Sequence, residues 1–134
     1  MKTDIVCVID DDSIYKYTIL KTIEEVSTVK KVHVFNDGEE GLEYISNNIE
    51  DASALPDVIF LDLNMPYMDG WEFLEMFSGL QKGLPKKIVI YIVSSSVSSV
   101  DIEKAKEYST VTDYIVKPVS IDDFKKILEG VKEM

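Results

Sequence analysis

The sequence predicts a doubly wound α/β domain, a parallel sheet with helices on both faces. Two observations carry this. Strand-length apolar runs alternate with segments of helical periodicity five times along the 134 residues, and each parallel crossover needs a right-handed helical return. Three of the runs, Ile5 to Ile9, Val58 to Leu61 and Ile88 to Val93, are continuously apolar, as in strands buried on both faces.

The first run, Ile-Val-Cys-Val-Ile, ends in Asp10-Asp11-Asp12. Ser13 reads as a helix N-cap, with Tyr15, Ile19, Ile23 and Val26 recurring at helical spacing. Val32 to Phe35 is a short second strand, Asn36-Asp37-Gly38 a turn, and Leu42, Ile45 and Ile49 a helical stripe. An acidic loop leads through Pro56 to the central strand, which ends at Asp62. A third helix runs from about Gly70 through Phe77, with Gly79 and Gly83-Leu84-Pro85 as its stop signals. The fourth strand closes in Ser94-Ser95-Ser96, and a helix follows from Ser98 to Tyr108 with Val100, Ala105 and Tyr108 facing inward. Thr112 to Val116 is the fifth strand, then Lys117-Pro118, and the last helix starts near Ser120, whose N-cap chemistry is followed by first-turn acids.

Composition sets limits on function. A hydrophobic fraction of 46% suits a globular core. A single cysteine, Cys7, forms no intrachain disulfide and fits a reducing compartment. No apolar run approaches a membrane span and no secretory leader is present, so the expected location is the cytoplasm with no membrane partner. The net charge of −11 opposes nucleic-acid binding, which needs clustered Lys and Arg, and favours cations. His33 is the sole histidine, which rules out a His-based metal site or acid/base pair and leaves it a strand residue.

In a doubly wound sheet the carboxyl ends of the strands share one edge, so residues far apart in sequence meet there. These are Asp10, Asp11 and Asp12 after the first strand, Asp62 after the third, Ser94 after the fourth and Lys117 after the fifth. Crowded carboxylates call for a cation, and oxygen ligands without His or Cys select Mg²⁺, with Mn²⁺ the alternative. A lysine and a hydroxyl opposite such an ion would meet phosphoryl oxygens, and one aspartate kept as nucleophile could form an acyl phosphate. Asp12 is the acid best explained by capping the first helix.

Asp10-Asp11, the segment Leu-Asp-Leu-Asn-Met-Pro-Tyr-Met-Asp-Gly around Asp62, Val93-Ser94 and Asp113 to Pro118 together resemble the receiver domain of bacterial two-component response regulators, in the stand-alone, chemotaxis-regulator-like form. The match runs through the whole chain in order. The resemblance implies a flavodoxin-like sheet of strand order 2-1-3-4-5 with five helices. It implies Asp62 as phosphoacceptor, with Mg²⁺ held by Asp10, Asp11, Asp62 and the main-chain carbonyl of Asn64. Ser94 and Lys117 would contact the phosphoryl group, and Ser94 and Tyr114 would form the switch. A cis Lys117-Pro118 peptide is common in the family. The implied partners are a sensor histidine kinase or histidine phosphotransfer protein and a downstream protein, met by the face of helix four, strand five and helix five.

On this reading residues 1–134 form one receiver domain without an output domain. The chain is a phosphoacceptor that assists its own phosphorylation and dephosphorylation rather than an enzyme acting on other substrates. Departures from the family pattern are Ser94 where threonine is frequent, the additional Asp12, and Thr110-Val111 where Gly-Ala is frequent. Asn64 and Ser96 occupy its variable positions. Two other classes compete. A Mg²⁺-dependent phosphohydrolase of the haloacid dehalogenase type would use Asp10 as nucleophile and Asp12 as acid/base, and would leave Asp62 unexplained. A flavodoxin-like nucleotide-binding module would need a Gly- or Ser/Thr-rich loop after the first strand, where this chain is acidic.

Overall fold

Five strands, β1 (Ile5–Ile9), β2 (Lys31–Phe35), β3 (Val58–Leu61), β4 (Val89–Ser94) and β5 (Val111–Val116), pair in parallel in the order β2-β1-β3-β4-β5. The computed structural model describes residues 5–26 and 29–133. The helices are α1 (Ser13–Glu24), α2 (Gly38–Asn47), α3 (Gly70–Leu80), α4 (Ser99–Ala105) and α5 (Ile121–Glu133), with a short 3₁₀ turn at Gln81–Gly83.

Strand side chains alternate between faces, and here the alternation divides the core in two. Cys7, Ile9, Ile59, Leu61, Ile90 and Ile92 pack with Ile45 of α2, Phe73, Leu74 and Phe77 of α3, and Ala105 of α4. Val6, Val8, Val58, Phe60, Val89, Tyr91 and Val93 pack on the other face against Ile19 and Ile23 of α1 and Phe124 and Leu128 of α5. With both faces covered, every residue of β1, β3 and β4 is buried, which is why these strands read as unbroken apolar runs. The edge strand β5 keeps Thr112 and Asp113 in solvent, and a register shift between Ile90 and Tyr91 lets the ladder pass over Thr112. No helix among the described residues is long and apolar enough to cross a membrane.

Several local expectations change. The N-cap of α1 is Asp12, not Ser13: the Asp12 carboxylate accepts the amides of Ile14 at 3.0 Å and Tyr15 at 3.1 Å. Val26 lies beyond the end of α1 yet still packs against the core. α3 continues through Gly79 to Leu80, because an exposed glycine weakens a helix without ending it. Val100 is 72% exposed rather than inward, and α4 stops at Ala105, leaving Tyr108 in the turn that follows. The predicted cap at Ser120 is present, accepting from the Asp123 amide at 3.1 Å, and Ser98 caps α4 by accepting from the Val100 amide at 3.2 Å.

Candidate functional site

The strand order places the ends of β1 and β3 side by side, and ladder hydrogen bonds carry the registry into the residues beyond them. Asp10 N–H donates to the Phe35 carbonyl at 3.1 Å and Asp62 N–H to the Ile9 carbonyl at 2.9 Å. Both carboxylates therefore emerge at the carboxyl edge in fixed positions while remaining buried, 1% and 6% exposed. Asp11, one residue on, faces solvent. Asp10, Asp11 and Asp62 each offer an oxygen within 4.8 Å of the others.

The Lys117 ammonium answers two of these carboxylates, Asp10 and Asp62. Lys117 follows β5, and its amide donates to the Ser94 carbonyl at 2.8 Å, which ties the loop to the end of β4. Its Nζ lies 2.8 Å from Asp10 Oδ2 and 3.9 Å from Asp62 Oδ1. Asp10 Oδ1 accepts the Asp12 amide at 2.9 Å, and Asp62 Oδ1 accepts the Leu63 amide at 2.9 Å. The balance is still unfavourable for charge on Asp62. Burial, then the neighbouring Asp10, push its carboxyl up to about 6, against the opposing pull of Lys117 and the amides of Leu63 and Asn64. A buried carboxylate short of positive charge, amid oxygen donors only, is chemically suited to a hard divalent cation.

The loop from Leu63 to Asp69 is folded tightly over the end of β3. Tyr67 takes a left-handed φ of 64°, and the Met68 amide donates to the Pro66 carbonyl at 2.7 Å. Gly70 lies so near the strand that a Cβ on it would stand 2.5 Å from the Asp62 carbonyl oxygen. Its amide donates to the Leu63 carbonyl at 2.9 Å. Asp69 then caps α3 in a capping box with Glu72.

At the end of β4, Ser94 is fully buried and its Oγ accepts the Ser96 amide at 3.1 Å. The Ser96 carbonyl accepts the Tyr114 hydroxyl at 2.9 Å. The Ser96 hydroxyl donates to Asp101 of α4 at 2.7 Å. Tyr114 is half-buried and packs against the core beneath α2, α3 and α4. The Lys117-Pro118 peptide is cis.

The structure thus brings Asp10, Asp11, Asp62 and Lys117 to one point, with Ser94 and Tyr114 joined through Ser96 beside it. Asp12 is engaged in capping α1. The sequence did not show the contacts of two residues. Ser96, noted there as a variable position, uses its amide, hydroxyl and carbonyl to join Ser94, Asp101 and Tyr114. Tyr15 read as core by its helical spacing, yet the Lys117 ammonium lies 4.3 Å from its ring centroid. The lone His33 sits within hydrogen-bond distance of Tyr44, 3.3 Å away.

Comparison with known proteins agrees with this fold. The family model described as the response regulator receiver domain matches residues 6–129. Probable methanogenesis regulatory protein FilR2 of Methanothrix harundinacea is 27% identical over 130 residues, covering 96% of this chain and 81% of that protein. Protein-glutamate methylesterase/protein-glutamine glutaminase 1 of Myxococcus xanthus is 34% identical over 113 residues. That match covers 84% of this chain but only 29% of the larger protein. Among solved structures, a two component response regulator from Cytophaga hutchinsonii superposes with a TM-score of 0.84 at 26% identity, covering 100% of both chains.

Proposed function

Because the chain belongs to the response regulator receiver domain family, we propose that it is a phosphorylation-dependent signalling switch whose phosphoacceptor is Asp62. The observation that carries this reading is the gathering of Asp10, Asp11 and Asp62 within 4.8 Å, with the Lys117 ammonium paired to Asp10 and Asp62. That arrangement holds a buried carboxylate where charge must be compensated for it to react.

Asp10, Asp11, Asp62 and the main-chain carbonyl of Asn64 would hold Mg²⁺, or Mn²⁺. Bound there, the ion supplies charge neutralisation and a coordination site for phosphoryl oxygens. Asp62 provides the nucleophile: one carboxylate oxygen forms a bond to phosphorus as the donor's nitrogen–phosphorus bond breaks, and the donor imidazole keeps the electron pair. Lys117, already between Asp10 and Asp62, pairs with the transferred phosphoryl oxygens. The Ser94 hydroxyl turns from the Ser96 amide toward the phosphoryl group. Because the Ser96 carbonyl also holds Tyr114, that movement reaches α4 and β5 and biases a two-state equilibrium on the face of α4, β5 and α5.

The donor is a sensor histidine kinase or a histidine phosphotransfer protein, and the altered face serves a downstream protein. Nucleic acid is not a partner on this reading, given the charge of −11. The unbridged Cys7 fits the cytoplasm as the working compartment. Against a hydrolase of the haloacid dehalogenase type, the Asp12 carboxylate is occupied by two helix amides, and so is poorly placed to act as acid/base.

The test is intact mass after incubation with acetyl phosphate and Mg²⁺. Wild type should gain one phosphoryl group and Asp62→Asn none. Labelling of Asp62→Asn with loss of labelling in Asp10→Asn would move the nucleophile to β1 and sink the proposal.

A further inference from the structure

Tyr15 stands in the first turn of α1, in contact with the core face built on α1 and α5. Two features separate it from an ordinary core aromatic. Its ring lies 4.3 Å from Lys117 Nζ, centroid to nitrogen, inside the range of a cation–π contact and with the ammonium largely withdrawn from water. Its hydroxyl is buried and has no hydrogen-bond partner among the described residues, a desolvation cost with nothing gained in return. The ring is therefore kept in place despite its hydroxyl.

We propose that Tyr15 is a positioning residue for phosphoryl transfer, its ring seating the Lys117 ammonium between Asp10 and Asp62. This inference rests on Asp62 as phosphoacceptor. The reason a seat is needed lies in the chemistry of the pocket. Lys117 has a long flexible stem, and in the protein alone its position is fixed chiefly by Asp10, 2.8 Å away. Asp10 is also a carboxylate that a divalent cation would claim, and its hold on the ammonium weakens when that happens. An aromatic face attracts the ammonium without binding the metal and without placing another full negative charge near an incoming phosphoryl group. The ring therefore keeps Lys117 in place through the step in which Asp10 releases it.

Two measurements decide it. In the NMR spectrum of the whole chain without phosphodonor, the Lys117 ε-methylene protons should be shifted upfield by the ring. The shift should persist with Mg²⁺ present, survive in Tyr15→Phe and vanish in Tyr15→Leu. In labelling by acetyl phosphate with saturating Mg²⁺, Tyr15→Leu should slow the rate about thirtyfold, the scale of one desolvated cation–π contact, and Tyr15→Phe should restore it. In a Lys117→Ala background Tyr15→Leu should bring no further loss, because both changes remove one interaction. An unshifted Lys117 ε-methylene in wild type overturns the proposal with no variant needed, so poor folding of Tyr15→Leu would not protect it. A wild-type rate in Tyr15→Leu, or losses that multiply with those of Lys117→Ala, overturns it equally. If wild type takes no label on Asp62, the phosphoacceptor reading itself has failed. Labelled wild type with an unaffected Tyr15→Leu removes only the role of Tyr15.

Discussion

Asp62 shows at the scale of one residue how the fold prepares a reactive group. Its carboxyl stands at about 6 because burial and Asp10 outweigh Lys117 and two amides. The folded state therefore holds a proton between about pH 4 and 6 that the unfolded chain has lost, and this group's contribution to stability falls as pH rises through that window. Without metal at neutral pH, Asp62→Asn should be more stable than wild type by about 3 kcal/mol, and the gap should close toward pH 4. Urea unfolding in EDTA across pH 4 to 8 measures this. With Mg²⁺ held by Asp62 as proposed, the ion should stabilise wild type more than the variant. An equal gap at every pH would mean that the carboxylate carries no such penalty.

At the scale of elements, the loop between β3 and α3 shows what holds the site in shape. A Cβ at Gly70 would meet the Asp62 carbonyl and the Leu63 backbone, and neither can yield without moving Asp62. Gly70→Ala should cost about 2–3 kcal/mol in thermal unfolding and also weaken Mg²⁺ binding, whereas Gly79→Ala, with open space around the added methyl, should be neutral or stabilising.

The elements also show what the sequence could reveal. β1, β3 and β4 were legible because strands buried on both faces leave a signal in every residue. Asp62 and Ser94 were legible because each ends such a run, whereas Lys117 follows the half-exposed β5 and was legible only through the segment Asp113 to Pro118. The assignment of α1 and α5 to one face and α2, α3 and α4 to the other was not, since local periodicity shows which side of a helix is apolar but not which face of the sheet covers it. Val100 failed for a related reason: α4 is short, and its single fully buried residue is Ala105. Asp12 and Ser13 are both good N-caps, and only the backbone angles choose between them. Tyr15 was invisible as a site residue because its partner Lys117 is brought to it by the crossover topology alone.

For the molecule as a whole, charge and topology work at different ranges. The sheet order concentrates carboxylates at one edge of a chain whose net charge is −11. An anionic phosphodonor meets a repulsive field before it reaches Lys117. With Mg²⁺ saturating, labelling by acetyl phosphate should accelerate as ionic strength rises from about 0.01 to 0.15 M, because screening shortens the reach of that field from about 30 Å to 8 Å. Stopped-time mass spectrometry checks this, and slowing with salt would point to local attraction at the site as the controlling term.

The measurement that bears most directly on the central claim is the position of the label. Borohydride reduction of the protein after treatment with phosphodonor and Mg²⁺ converts an aspartyl phosphate to homoserine, which peptide mass spectrometry locates. The account predicts conversion at Asp62 alone, abolished by EDTA. Conversion at Asp10 or Asp12, with Asp62 intact, would contradict it and place the chemistry on the first strand.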